Sequence, residues 1–101
     1  MYDVKNLEHS LKYIEDEKNY YAGFGSVIRQ CIVAREMKIQ LWDAGEIEDN
    51  ENLALSERIE NAYRKAVEIH KKWVIKVLSD SASSHTIETV VSSVYHDIFG
   101  F

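Results

Sequence analysis

The stretch "NLALSERIENAYRKAVEIHKKWVIKVLS", residues 52–79, decides the fold. Leu55, Ile59, Ala62, Tyr63, Ala66, Val67, Ile69, His70, Trp73, Val74, Val77 and Leu78 recur at steps of three and four, the spacing of a helix with an apolar side. Glu60 with Arg64, and Glu68 with Lys72, are i, i+4 pairs in the favourable order. Acids crowd its first half, and Lys71, Lys72 and Lys76 its last turns, so each end complements the helix dipole. At 1.5 Å per residue such a helix is about 40 Å long. The neighbouring helical patterns are shorter. One end of this helix is therefore expected to overhang and to offer a surface to a second copy.

Three more helical patterns flank it. From Asp3 to about Tyr21, the residues Val4, Leu7, Leu11, Ile14 and Tyr21 form a heptad-like stripe that misses a beat at Lys18, with Asp3 as N-cap. A second helix is expected from Val27 to about Ala44, capped by Ser26 and followed by Gly45. Gly23 reads as the close of the first helix, which makes "YYAGFGSV" (20–27) a helical corner. The acidic stretch "GEIEDNEN" (45–52) reads as an exposed loop, and "SDSASS" (79–84) as a short polar linker. A last helix is expected from about Thr86 to Phe99. Its β-branched residues leave a strand as the weaker reading, and that strand would have no partner.

The expected fold is thus all-α: a compact four-helix bundle, up-and-down and antiparallel, forming a single helical domain over residues 1–101. A homodimer sharing part of the core is the open extension, because a 101-residue chain has little core to spare. No proline interrupts any helix, and 46% hydrophobic residues exclude wholesale disorder.

Composition narrows the chemistry. A net charge of −5 and a pI near 5.3 make nucleic acid an unfavoured partner. The single cysteine, Cys31, allows no internal disulfide or multi-cysteine zinc site and suits a reducing compartment. No signal-peptide pattern opens the chain and no long apolar run suggests a membrane span, so the expected location is the cytoplasm. Asn6, Val67, Ala82 and Ser93 stand three residues before the four histidines, so no Glu-x-x-His metal pattern occurs. The acidic loop lacks the ligand spacing of a calcium loop. Neither metal nor cofactor is expected. Serines occur without a nucleophile elbow, and Cys31 lies within an apolar helical pattern, so no nucleophile is evident.

Arg64 and His70 resemble the Arg-x(4–6)-His signature of the HEPN ribonucleases, a family of small all-helical proteins. The resemblance implies RNA cleavage by those two residues. Lys65 replaces the polar residue that commonly follows the family's arginine, and a straight helix sets the pair about 120° apart.

The expectation these patterns favour is a non-enzymatic interaction module of the inhibitor, immunity-protein, antitoxin or adaptor type. Glu46, Glu48, Asp49 and Glu51 would make first contact with a basic protein partner. The alternatives are the HEPN-like ribonuclease and a small-ligand or anion-binding bundle using Tyr20, Tyr21, Phe24 and Arg29. Arg29 near a helix start opposes the dipole. Neutralisation by Glu15 or Glu17 is the favoured account, and a bound anion the other.

Overall fold

The structure, a computed structural model, describes residues 3–79 and 84–101. It contains four α-helices: α1 (Val4–Glu15), α2 (Phe24–Asp43), α3 (Asp49–Leu78) and α4 (Ser84–Phe99). A 3-10 turn, Glu17–Tyr20, joins α1 to α2. Most of the polar linker, residues 80–83, lies outside the described residues. The described residues contain no strand, which settles "TIETVVSSVY" as helix.

Each boundary has a local cause. Asp3 caps α1 as its position suggests: its Oδ1 accepts from the Asn6 N–H at 2.9 Å, and Asn6 Oδ1 accepts from the Asp3 N–H at 3.0 Å. The helix stops at Glu15 rather than near Tyr21, at the missed beat. Asp16 takes the Lys18 N–H (3.1 Å), Asn19 Nδ2 donates to the Tyr13 carbonyl (3.0 Å), and the Tyr20 hydroxyl donates to the Ile14 carbonyl (2.6 Å). These side chains offer the backbone a better arrangement than another helical turn.

The corner "YYAGFGSV" also differs from expectation. Gly23 opens α2 instead of closing α1, and Ser26 sits exposed inside the first turn without capping it. Gly23 has an ordinary negative φ of −88°. A Cβ there would meet the Asn19 carbonyl at 3.0 Å, so close approach, not a left-handed backbone, explains the glycine. At the far end of α2 the expected glycine does close the helix. Gly45 has φ +75°, its N–H bonds the Trp42 carbonyl at 3.0 Å, and the Glu46 N–H bonds the Leu41 carbonyl at 2.9 Å. This is a Schellman ending. α3 then starts at Asp49, three residues before Asn52, because Glu48 and Glu51 form a capping box.

Chain neighbours pack on one another: α1 on α2, α2 on α3, and α3 on α4, with α1 also touching α3. α4 runs back along α3, bringing Tyr95 to His70, Phe99 to Tyr63, and Phe101 over the Arg64 guanidinium. The up-and-down bundle is drawn out along α3, which is roughly 45 Å long. Overall dimensions are 53 × 22 × 18 Å, and the radius of gyration of 16.1 Å exceeds the roughly 13 Å usual for this length.

The main core lies between α1, α2 and the first half of α3, where Leu7, Leu11, Ile14, Tyr20, Val27, Ala34, Leu41 and Ala66 are all essentially inaccessible. Arg58 of α3 clasps α1, with Glu15 bidentate and Glu8 at 3.5 Å. Lys65 reaches Glu17 in the 3-10 turn. These pairs are half-exposed and fix register more than they add stability. No helix among the described residues is long and apolar enough to cross a membrane.

Candidate interaction surface

α4 carries two apolar lines. Ile87, Val91, Tyr95 and Phe99 step by four along the side that packs on α3. Val90, Val94 and Ile98 step in parallel about 100° around the helix. These three are 56%, 45% and 66% exposed. A surface helix normally turns polar so far from its contact line, and this one does not.

The α3 seam behaves similarly. Ile59, Ala62 and Ala66 are buried against α1 and α2. The same line continues to Trp73 and Val77, which are 39% and 52% exposed. α2 starts at Phe24, whose ring stacks on His70 with centroids 4.0 Å apart, so α2 offers nothing to cover the next turns. Only the Tyr21 ring reaches further, edge-on to Trp73 at 5.9 Å. The long helix therefore does overhang, as its length predicts. The overhanging end is a two-helix hairpin with apolar side chains left in solvent.

A ring cluster anchors that hairpin. His70 lies between Phe24, Trp73 and Tyr95, and its Nδ1 is 2.5 Å from the Tyr95 hydroxyl. Phe99 adds edge contacts to Phe24 and Tyr63. Burial holds the His70 pKa below its ordinary value and raises that of Tyr95. With a neutral ring, the arrangement that satisfies both groups is Tyr95 O–H donating to Nδ1. Arg64 points elsewhere: Glu60 Oε1 accepts its Nε–H at 2.8 Å, and Phe101 covers its guanidinium at 4.6 Å. Arg64 and His70 thus have separate partners.

The acidic residues occupy the opposite end of α3. Glu48 and Glu51 cap the helix, and Asp49 accepts from Trp42 Nε1 at 2.8 Å. Of the four, Glu46 has no side-chain hydrogen bond or ion pair among the described residues. Tyr20 is buried with its hydroxyl pKa pushed up to about 12, chiefly by burial, while Tyr21 and Phe24 join the rings around His70. Among the described residues no cation-π contact, hydrogen bond or ion pair joins Arg29 to those rings. The expected neutralisation of Arg29 does not occur either: Glu15 goes to Arg58 and Glu17 to Lys65. It is also less needed, because α2 starts five residues before Arg29 and sets it beyond the first turn, where the dipole is strongest. Cys31 is buried, and burial pushes its thiol up to about 11, far from thiolate chemistry. Among the described residues no three His, Cys, Asp or Glu side chains cluster as a metal site would require.

One residue escaped the sequence reading. Lys38 is only 8% exposed, wedged between α2 and α3. Its Nζ donates to Asn52 Oδ1 (2.9 Å) and Ser56 Oγ (2.8 Å), and the Ser56 hydroxyl in turn donates to the Asn52 carbonyl (2.8 Å). Burial, with Arg35 nearby, lowers its pKa. The signal was its register: Lys38 follows Cys31 and Ala34 along the buried face at steps of three and four, where a charge needs an explanation. Searched against protein families, curated proteins and solved structures, the chain matches none.

Proposed function

We propose that this chain is a small acidic helical interaction module that acts by binding a partner protein, in the manner of an inhibitor, immunity protein, antitoxin or adaptor. The observation that carries the reading is the uncovered apolar face of the distal hairpin, with Val90, Val94 and Ile98 on α4 and Trp73 and Val77 on α3. Exposed apolar side chains gathered on one hairpin suit an amphipathic helix or apolar patch of a partner. Two features suit the role further. The rings around His70 give the face a rigid base, so little ordering entropy is lost on binding. The acidic end of α3, with the Glu46 side chain unengaged, supplies a field that draws in a basic partner and raises the association rate.

Paired substitution of Val90→Lys and Val94→Lys tests this directly, since both side chains are exposed and the helix should persist. The double variant is expected to keep its far-UV circular dichroism and to lose the partners that the wild-type chain captures and binds in purified form. Glu46→Lys should slow association at low salt while leaving the dissociation rate nearly unchanged. Unchanged partner affinity in the double variant would overturn the reading. Light scattering of the same proteins distinguishes a foreign partner from a second copy.

A further inference from the structure

We infer that the cleft between α2 and α3 at Lys38 is a binding site for a small organic acid: one anionic head on an apolar body. The inference is independent of the distal face and of any partner protein. The cleft measures about 530 Å³ and is lined by Arg35, Lys38, Ile39, Trp42, Ser56, Ile59 and Glu60. A second hollow of about 330 Å³ shares Arg35, Ile59 and Glu60 and extends the trough towards Ile32 and Tyr63.

A buried charge is what marks this cleft out. Arg58, Arg64, Lys65 and Lys71 each have a carboxylate partner. Among the described residues, no carboxylate oxygen lies within 4.0 Å of Lys38 or Arg35. Lys38 is nevertheless the more deeply buried cation. Both its hydrogen-bond acceptors are neutral, and an ammonium has three N–H donors, so one is left over. A buried ammonium without a counter-charge is costly, and an anion seated beside it offsets that cost. Arg35, one turn earlier on α2, lines the same cleft and supplies a planar fork suited to a carboxylate.

The walls specify the remainder of the ligand. Ile39, Trp42 and Ile59 give an apolar surface, and the Trp42 indole N–H is already taken by Asp49. Glu60 limits the charge. Its Oε1 is held by Arg64, and its carboxylate among the lining residues opposes a second negative charge on the ligand. A monocarboxylate with a short alkyl or aromatic body fits all of these features.

Octanoate serves as the probe, with octanol as its uncharged counterpart, each titrated into the isotopically labelled protein and followed by amide NMR. Octanoate should produce saturable shifts at residues 35–42 and 56–60, and octanol should bind about tenfold more weakly or less. Lys38→Met, which keeps the aliphatic stem, and Arg35→Met, on an exposed position that does not hold the fold, should each weaken octanoate about tenfold. Equal affinity for acid and alcohol, absence of saturable shifts, or undiminished octanoate binding by Arg35→Met and folded Lys38→Met would overturn the inference. In the last case Lys38 acts solely as a polar pin between α2 and α3.

Discussion

The proximal body and the distal hairpin are built from the same kind of helix yet reach different degrees of closure. In the body three helices meet, and Leu7, Leu11, Ile14 and Val27 are at most 1% exposed, while Ile32 and Leu53 stay on its outer faces. In the hairpin α3 and α4 meet, and α2 reaches the base of their cluster through Phe24 and Ile28. Val67, Val91 and Tyr95 are buried there, while Val77, Leu78, Val90, Val94 and Ile98 are not. Two helices can hide only the facing sides of each other, so apolar side chains on a second face have nothing in this chain to cover them. The body holds the fold. The hairpin spends similar side chains on a surface.

A matched pair of substitutions measures the difference. Val27→Ala removes two methyl groups from a fully enclosed site and should cost about 2 kcal/mol of unfolding free energy, read from the urea midpoint. Val91→Ala makes the same change where α4 can settle inward, and about 1 kcal/mol is expected. Equal losses would mean that the hairpin is as tightly consolidated as the body.

Hydrogen exchange gives the next sharpest contrast. Amides in the middle of α2 and of the first half of α3 should exchange only through global unfolding, whereas those of α4 should open sub-globally and exchange faster. Tyr95→Phe should widen the gap, since it deletes the one described hydrogen bond between α4 and α3 side chains. A single protection level across α2, α3 and α4 would erase the distinction between the two regions.

The regions should also differ in their response to acid. Burial lowers the His70 pKa, so the unfolded chain binds this proton at higher pH than the folded one. The contribution of His70 is complete above the ordinary histidine range of about 6.5 and is lost as pH falls through it. Tyr20 behaves in the reverse sense, because burial raises its pKa from 10.0 to about 12. Its contribution is complete below pH 10.0 and is lost as pH climbs from there towards 12. Acid should therefore loosen the hairpin first, whereas alkali acts on both regions, through Tyr20 in the body and through Tyr95 in the hairpin, whose pKa burial also raises. Urea midpoints between pH 5 and 8 should lose most of their acid slope in His70→Gln.

Much of this division was legible in the residues. The three-and-four spacing of Leu55 to Leu78 marks the long helix, and its excess length marks the overhang. The identity of each end was less legible. Periodicity cannot tell that Asp16 and Asn19 out-compete the helix for its last carbonyls, or that Gly23 serves a close approach rather than a positive φ. Nor does it assign ion-pair partners. Glu15 and Glu17 stood near Arg29 in sequence, but tertiary packing gave them to Arg58 and Lys65. Lys38 was present in the pattern as a charge on an apolar face, whereas Asn52 and Ser56 became its partners only when α3 folded against α2.

The smallest expected effects concern two glycines that bracket the body and should respond with opposite signs. Gly45 has φ +75°, a conformation that costs an L-residue about 1 kcal/mol, and no atom lies within 4 Å of where its Cβ would be. Gly45→Ala should therefore lower stability by about 1 kcal/mol through backbone conformation alone. Gly25 lies in the first turn of α2 with ordinary helical geometry and the same empty surroundings. Gly25→Ala should raise stability by about 0.5 kcal/mol, since alanine loses less backbone entropy on entering a helix. Both act on the body and neither touches α4. Protection of the α4 amides against exchange through local opening should therefore stay constant while the global midpoint moves down in one variant and up in the other. If α4 protection follows the global midpoint in both, the hairpin unfolds only with the body and the two regions are one cooperative unit.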